Sequence, residues 1–509
     1  MYSTSTKWYR VNYGLVVWLI LIVSSPAFSQ LEQSIRFEVP LSGSELNFDV
    51  IATGDDGLFL QRRLSLPDGD QMEIARLDTG LHTVWRGYLP LDKQAMHMGS
   101  RTDHGYLYLL FRDPAVKDFS LYAIDKQQGN FVRYSIKNII PFIPSEFQIA
   151  PQAAIIGGYF NRIPVVIYFP FIGQKTKVLP GLLNENGELT QIKAYTDGSF
   201  DVLISARNMQ GLQTIWIKNY DAEGNILRNM ALEPEGTKHL IFARSVKTDN
   251  AMQIVAGVYG SRNSDYSKGL FIASIDPSGL QHLKYYNYGD LKNFFKYMKV
   301  RREQRVRDRI SRRKIKGKKI RFNYRFMVHE ILPYNGQYVL LGEAFYPKYV
   351  TVDRANYGGF FSPYSFGRGT MIRDGRVFDG YHYTHAVVMG FDTDGKLMWD
   401  NSFEINDVKT FTLEQFVKIQ PQPDKIALLY MYENQLRTKI IQNDSVLEGK
   451  TSEPLKTRSE TEIARMEKNN TGKLEYWYGN YFFAWGVQEI MSLGLGKRRV
   501  FFINKISYR

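Results

Sequence analysis

The sequence contains no cysteine in its 509 residues. Disulfide bonds are therefore excluded, and we expect no diacylglyceryl lipoprotein anchor, because that anchor is attached to a cysteine. A chain of this length can remain stable without disulfides because it can bury a large hydrophobic core.

Long apolar runs are also scarce. The first 29 residues have the organisation of a targeting segment: two basic residues, then the apolar run GLVVWLILIV at 14–23, then an A-x-S cleavage site at 27–29. The run of ten residues is too short to span a bilayer comfortably, and no later stretch approaches the length of a membrane span. The sequence therefore predicts a signal peptide at residues 1–29 and an exported mature chain without a transmembrane segment, in the periplasm, at the outer membrane or secreted.

Familiar catalytic fingerprints are absent. The sequence has no G-x-S-x-G, H-E-x-x-H, P-loop or dinucleotide motif. The one cluster among eight scattered histidines is Asp379, His382 and His385, but residues 382 and 385 of a strand face opposite sides. We therefore expect no metal and no cofactor. Catalytic residues stay unassigned, since acid pairs drawn from distant parts of a repeat fold are invisible in one sequence.

Aromatic residues and glycine are abundant, with 33 Tyr, 32 Phe and 41 Gly. Aromatic side chains suit the half-buried surface of a sheet, and glycine suits frequent turns. The composition predicts an all-β fold.

One pattern recurs along the chain. The run AVVMGFDTDGKLMWDNSF at 386–403 combines an apolar strand, a D-x-D-G turn and a second strand. Asp and Asn accept local hydrogen bonds and glycine tolerates positive φ, so this chemistry favours a hairpin. The chain ends on a further strand, RVFFINKISY. The turn positions of the copies are Asp78 and Gly80, Asp125 and Gly129, Asn184 and Gly187, Asp221 and Gly224, Asp276 and Gly279, Asp392 and Gly395, and Asn443 and Asp444.

The spacing of these turns predicts a β-propeller. The intervals are 47, 59, 37, 55, 116 and 52 residues, where a four-stranded blade needs about 40–45. Removing two insertions, 286–324 and 347–380, reduces the interval of 116 to 43. We expect residues 30–509 to form one domain of seven or eight blades, and we favour seven. The alternating run at 34–40 is expected to pair with the final strand and close the ring.

The D-x-x-G-x-x-x-W segment from Asp392 to Trp399 resembles the hairpins of quinoprotein-type and WD-type β-propellers. Only the copy at Asp78 shares the tryptophan, Trp85, and no copy has the extended quinoprotein signature, so quinone binding is not implied. The runs GEAFYP and FDGYHYTHAVVMGFD are similar to uncharacterised exported bacterial proteins, a likeness that implies no chemistry.

The first insertion carries nearly all of the net charge. Residues 299–321 hold thirteen Lys or Arg residues against Glu303 and Asp308, a net +11 of the formal +14. Apolar residues at helical spacing and helix signals at Asp290 and Gly317 predict an amphipathic helix. Its predicted binding residues are Arg301, Arg302, Arg305, Arg309, Arg312, Arg313, Lys314, Lys316, Lys318 and Lys319. The helical apolar positions are Leu291, Phe294, Phe295, Met298, Val306 and Ile310.

Two interpretations of this basic arm stay open. The segment is either a solvated, partly disordered loop, or it binds anionic lipid, an anionic polysaccharide or an acidic envelope protein. Nucleic acid is a poor candidate for an exported chain.

The second insertion is rich in aromatic residues and glycine. It is a candidate partner or carbohydrate surface, or else a cover over the end of the ring. Its candidate residues are Tyr349, Tyr357, Phe360, Phe361 and Tyr364.

Two functions follow from these features. The first, which we favour, is a non-enzymatic binding or scaffold propeller of the bacterial cell envelope. The second is a glycan-active propeller enzyme with acidic residues near the ring axis.

Overall fold

The computed structural model of the chain leaves the predicted signal peptide outside the residues that it describes. The described residues are 31–42, 48–67, 69–103, 105–115, 117–182, 186–248, 251–262, 264, 266–351, 372–373, 376–466, 472–492 and 496–508.

Asp turns build the predicted hairpins in the way that side-chain chemistry requires. The Oδ1 atom of Asp392 accepts hydrogen bonds from the backbone N–H groups of Asp394 and Lys396, at 3.0 and 2.8 Å. Gly395 follows with φ of +73°, a conformation that strains residues with a Cβ. Asp221 accepts from Glu223 and Asn225 in the same way. Each such turn joins the third and fourth strands of one antiparallel sheet.

The described strands form eight sheets of a β-propeller, called blades 1 to 8 here. The first four blades are simple meanders of four antiparallel strands. Blade 1 consists of Asp49–Ala52, Leu58–Leu66, Gly69–Leu77 and Thr83–Pro90, with a 3₁₀ turn at Gly54–Asp56. Blade 2 consists of Met96–Thr102, Tyr106–Arg112, Phe119–Asp125 and Phe131–Ile136. Blade 3 consists of Ile143–Ala150, Ala153–Phe160, Ile163–Pro170 and Lys177–Val178. Blade 4 consists of Gly187–Ala194, Phe200–Arg207, Gln213–Tyr220 and Ile226–Ala231.

The last four blades carry the additions. Blade 5 consists of His239–Lys247, Gln253–Gly260, Ser267–Ile275 and Gln281–Asn287. Blade 6 consists of Arg325–Tyr334, Gln337–Thr351, Arg376–Phe391 and Leu397–Glu404, with short strands Ile372–Arg373 and Lys409–Thr410 paired to its third strand. Blade 7 consists of Lys418–Pro421, Ile426–Tyr432, Gln435–Gln442 and Ser445–Pro454. Blade 8 consists of Lys473–Tyr478, Tyr481–Ser492, Gly496–Tyr508 and Leu31–Pro40, with Ile463–Met466 paired to its second strand.

The predicted closure by the N-terminal run is confirmed. Leu31–Pro40 pairs antiparallel with Gly496–Tyr508 as the outermost strand of blade 8. Eight clusters of buried side chains lie between successive blades, and one of them joins blade 8 to blade 1 through residues such as Phe501 and Leu58. Because apolar burial is the main stabilising term, each blade depends on both neighbours.

The ring has eight blades, so the preference for seven was wrong. The pattern offers seven turns, and blade 8 adds none, because its outermost strand is Leu31–Pro40 from the start of the chain. Blade 3 was assigned to the wrong turn, because its outer hairpin turns through Gly173 and Gln174, both at positive φ, without an Asp or Asn. The turn placed at Asn184 and Gly187 instead falls between blades 3 and 4: Gly187 begins blade 4, and Asn184 lies outside the described residues.

Alternating strand directions sort the connections onto two faces. One face carries the Asp turns. The other, called the insertion face here, carries the connections between blades and those between second and third strands. The first insertion, between blades 5 and 6, and the second, inside blade 6, therefore both leave the ring at the insertion face.

The one α-helix of the described residues is Val300–Ile315, called α1 here. No helix of the described part of the chain is long and apolar enough to cross a membrane.

Candidate binding face

The base of the first insertion is an aromatic core. Leu291, Phe294 and Phe295 are fully or almost fully buried in the cluster between blades 5 and 6. The ring of Phe294 lies 4.6 Å from that of Tyr288 and 5.1 Å from that of Tyr324. These predicted apolar residues are therefore buried, but they lie in the core of the ring before the α-helix and not on one continuous amphipathic helix.

A buried carboxylate fixes this base to blade 6. Asp400 accepts hydrogen bonds from the backbone N–H groups of Lys292 and Asn293, at 2.8 and 2.6 Å, and the Asn293 side chain donates to the Asp400 carbonyl. Burial raises the pKa of Asp400, although the two N–H donors oppose that shift. These bonds place a short 3₁₀ helix, Phe294–Tyr297, across the blade.

The α-helix begins later than predicted. Asp290 is not its start, because the Asp290 N–H donates to the Asn287 carbonyl in a turn, and Met298 and Lys299 are extended at ψ of 155° and 140°. The predicted stop is confirmed.

Gly317 ends the helix at φ of +61°. The Lys318 N–H donates to the Arg313 carbonyl, and the Gly317 N–H donates to that of Lys314, which together form a Schellman motif.

The inner side of α1 is docked along the base. Ile310 is only 6% exposed, and Val306 packs against the same cluster. Arg307 donates to the Glu303 carboxylate at 3.0 Å and to the Lys292 carbonyl, and its guanidinium lies 5.8 Å from the centre of the Phe295 ring. The inner side of α1 is therefore packed on the base of the insertion.

The outer side of α1 and the turn after it display exposed cations. All ten predicted binding residues are exposed: Arg301, Arg302, Arg305, Arg309, Arg312, Arg313, Lys314, Lys316, Lys318 and Lys319. Among the described residues, Lys314 alone of the ten pairs with a carboxylate, that of Asp290 at 3.0 Å. Arg312 and Arg313 donate only to backbone carbonyls. The result is a cationic patch on a docked helix.

The histidine cluster of the sequence is divided between two environments. His385 is fully buried and stacks on Tyr297 at 3.7 Å, and burial lowers its pKa to about 3. His382 lies 3.6 Å from the carboxylate of Asp379, which also pairs with Lys409 at 2.5 Å. Within the described ranges no group of three or more His, Asp or Glu residues is arranged to hold a metal ion.

The second insertion begins and ends as strand. Pro347 and Gly380 both lie inside a long hairpin, in which Tyr349 pairs with Phe378 and their rings lie 5.7 Å apart. The other predicted aromatic residues, Tyr357, Phe360, Phe361 and Tyr364, lie outside the described residues.

A cavity of about 550 Å³ lies near the ring axis at the insertion face. It is bounded by the first strands of blades 4, 5 and 6 and by the connection that leads from blade 6 to blade 7. Its lining residues are Glu188, Ile241, Phe242, Arg244, Val258, Ser267, Phe326, Met327, Val328, His329, Glu330, Phe345, Leu413, Glu414 and Gln415.

One wall of this cavity is held by a buried carboxylate. Glu343 is completely buried and accepts hydrogen bonds from His329 Nε2 at 2.8 Å and from the Val417 N–H at 2.6 Å. The same carboxylate accepts from the Phe416 N–H at 3.1 Å. It thereby fixes both His329 and the connection that carries Leu413–Gln415.

One ion pair joins the first strands of two blades that are not neighbours. Lys193 of blade 4 pairs with Glu330 of blade 6 at 3.2 Å. Burial raises the pKa of Glu146, which is partly offset by Arg244 and Arg101. Glu146 itself is not among the cavity lining.

Sequence reasoning missed the cavity. Its residues come from six strands and one connection, and no local motif relates them. The only available signal was GEAF at 342–345, where Glu343 interrupts an apolar strand.

No protein-family model matches the chain, and no curated protein matches it. Among solved structures it is similar to the polysaccharide lyase Uly1, at 10% identity and a TM-score of 0.40 over 81% of this chain and 90% of that one. It is also similar to the β-propeller domain of the Trilobed protease from Pyrococcus furiosus, at 10% identity and 0.37 over 79% and 97%. The Dos1 propeller matches at 10% identity and 0.36 over 78% and 90%. We draw no function from likenesses this distant.

Proposed function

We propose that this chain is a non-enzymatic binding or scaffold propeller of the bacterial cell envelope, which contacts an anionic surface through α1. One observation carries the proposal: ten exposed cations, nine of them without a carboxylate partner among the described residues, lie on and just after a helix whose inner side is buried.

The docking of α1 favours the interpretation that it binds an anionic surface over the interpretation that it is only a solvated loop. A flexible basic segment loses backbone conformational entropy when it binds, at a cost of about 1–2 kcal/mol for each residue that becomes fixed. In α1 the backbone is already ordered by Ile310 and by the Schellman turn at Gly317. Each cation near an anionic membrane surface contributes on the order of 1 kcal/mol, so half of the ten would give useful affinity.

Anionic lipid is the partner that we place first. An α-helix lying on a surface presents its cations in one plane, as a headgroup layer requires. An acidic envelope protein and an anionic polysaccharide have the same charge and are alternative outcomes of the test. Nucleic acid stays disfavoured because export is predicted.

The test compares two variants of equal net charge. One replaces Arg301, Arg302, Arg305, Arg309, Arg312 and Arg313 with Gln. The control replaces six exposed cations spread over other parts of the ring with Gln: Lys93, Lys117, Lys137, Arg162, Lys175 and Lys396. Cosedimentation with vesicles that contain phosphatidylglycerol, and with purely phosphatidylcholine vesicles, measures binding.

We expect the α1 variant to keep its melting temperature and lose binding to the anionic vesicles, while the control keeps most of it. Binding should weaken steeply with salt, because screening acts over about 8 Å at physiological ionic strength. Equal losses in both variants would mean that net charge alone matters and would contradict the proposal. Binding of the parent to polygalacturonate beads but not to vesicles would reassign the surface to a polysaccharide.

The alternative, a glycan-active enzyme, draws support from the cavity, where Glu188, Glu330 and Glu414 all line the wall. A glycosidase needs one carboxyl group that stays protonated, which burial normally provides. Glu188, Glu330 and Glu414 are all exposed, and the nearby acid whose pKa burial raises, Glu146, does not line the cavity. We therefore favour binding over catalysis.

A further inference from the structure

We propose that the cavity at the insertion face binds a neutral sugar ring. This inference goes beyond the role of α1 and does not depend on it. The volume of about 550 Å³ falls within the range of small-molecule sites, about 300–1,000 Å³.

The floor of the cavity suits the apolar face of a pyranose. Val258, Phe326 and Val328 are buried there at 2%, 7% and 1% exposure. The rings of Phe242 and Phe345 are partly exposed in the wall. A sugar ring presents C–H groups on one side and hydroxyl groups at its edge, so it can cover this floor while its polar edge stays solvated.

The wall supplies donors and acceptors together. Arg244 donates to the Thr190 carbonyl with one nitrogen, at 2.7 Å, and its Nε atom is buried without a partner in the described residues. Glu188 and Glu414 bring acceptors at the exposed edge. Hydroxyl groups both donate and accept, so a polyol satisfies such a mixed set where a purely anionic or purely cationic ligand does not.

His329 is oriented for a hydroxyl group. Its Nε2 atom bonds to the buried carboxylate of Glu343 at 2.8 Å. Because Nε2 is occupied by the carboxylate, the ring leaves Nδ1 for a ligand, and a hydroxyl group can pair with that atom as either donor or acceptor. His329 lines the cavity, which makes it a hydrogen-bond partner for a ligand hydroxyl.

The balance of charge favours a neutral ligand. The carboxylates of Glu188 and Glu414 oppose an anion. Glu330 is already paired with Lys193, and Arg244 opposes a cation. A ligand of either sign meets a like charge in the wall, whereas a neutral ring meets none and keeps both sets of hydrogen bonds.

Saturation-transfer NMR with the full mature chain tests this inference. The probes are the methyl pyranosides of glucose, galactose, mannose and xylose at millimolar concentration, with phenethylamine and benzoate as the charged counterparts. We expect transfer to at least one pyranoside, strongest at protons of its apolar face, and weaker transfer to both charged probes.

Two variants locate the binding. Leu413→Trp enlarges a half-exposed side chain in the cavity wall, and Ile172→Trp makes the same addition at an exposed residue on the opposite face. The first should weaken sugar binding by about tenfold or more, equivalent to about 1.4 kcal/mol, and the second should leave it unchanged, with equal melting temperatures for both.

The six-Gln variant of α1 should bind sugar as the parent does, which separates this inference from the proposed function. Transfer only to phenethylamine, no transfer to any pyranoside, or equal sugar binding by Leu413→Trp and Ile172→Trp would each overturn the inference.

Discussion

The base of the first insertion and the outer side of α1 are a few residues apart in sequence but differ in burial and in charge. Phe294 and Phe295 have no exposed surface, whereas Arg305 and Arg309 are exposed without a carboxylate partner in the described residues. The aromatic base stabilises the interface of blades 5 and 6, and the cations contribute nothing to that interface. The comparison shows how one segment separates the residues that hold it from those free to bind.

The largest effect is expected from removing part of the base. Phe294→Ala deletes a ring that contacts Tyr288, Tyr324 and His385, and the resulting cavity should lower the free energy of unfolding by about 3–5 kcal/mol. Ile315→Ala removes an apolar side chain that is 84% exposed and should change it by less than about 0.5 kcal/mol. Denaturant unfolding measures both, and similar values would show that α1 is not separated from its base as described.

A buried cation sharpens the comparison with the exposed ones. Burial, with a smaller contribution from Lys296, lowers the pKa of Lys439 from 10.5 to about 8. The folded state then binds fewer protons than the unfolded state between these values, so the free energy of unfolding rises with pH across this window, by at most about 1.4 kcal/mol per pH unit.

Lys439→Met should remove that rise, and unfolding curves of both proteins from pH 7 to 10.5 would show it. Parallel curves would mean that Lys439 is as well hydrated as the cations of α1.

Two arginines of one helix offer a direct contrast. Arg307→Gln breaks the bond to Glu303 and the ring contact with Phe295 and should lower the free energy of unfolding by about 1–2 kcal/mol. Arg309→Gln should leave stability within about 0.5 kcal/mol and weaken vesicle binding. A stability loss at Arg309 that matches the loss at Arg307 would break the distinction between the two sides of α1.

The smallest effect is expected at the end of the helix. Gly317 has φ of +61° and open space where a Cβ would lie. Gly317→Ala should therefore cost only the backbone strain, about 1 kcal/mol. Gly449→Ala is the control, because it has equal space and no positive φ. Equal thermal stability of the two variants would mean that the Schellman turn does not hold α1 in place.

Most of the fold prediction depended on the side-chain chemistry of the turns. The turns at Asp78, Asp125, Asp221, Asp276 and Asp392 each combine an Asx-type acceptor with an apolar strand on either side, and each indeed closes an outer hairpin. Blade 3 lacks that side chain at its turn, so the prediction placed the turn at Asn184 and missed Gly173. Blade 8 was not counted, because its outer strand, Leu31–Pro40, comes from the other end of the chain and no turn joins it to the third strand.

The site could be predicted only where its parts are close in sequence. The cations of α1 follow one another within one segment, and their exposure follows from the helical period that buries Val306 and Ile310. The cavity depends on residues such as Glu188 and Glu414 that are far apart in the chain. Their proximity is a property of ring closure, which depends on the sum of many interfaces.

The pairing of Leu31–Pro40 with Gly496–Tyr508 has a kinetic consequence. Arg36 and Arg498 both bind the buried Glu38, so the seam contains a network that exists only when both ends of the ring meet. Joining segments more than 450 residues apart imposes a large entropic cost and slows folding.

Until the last strand has paired, the outer edge of blade 8 remains uncovered, as do the sides of blades 7 and 1 that face it. Unpaired strand edges are templates for aggregation. We therefore expect the open ring to be the species that needs protection from aggregation during biogenesis. The pairing of the final strand should set the rate at which the ring matures.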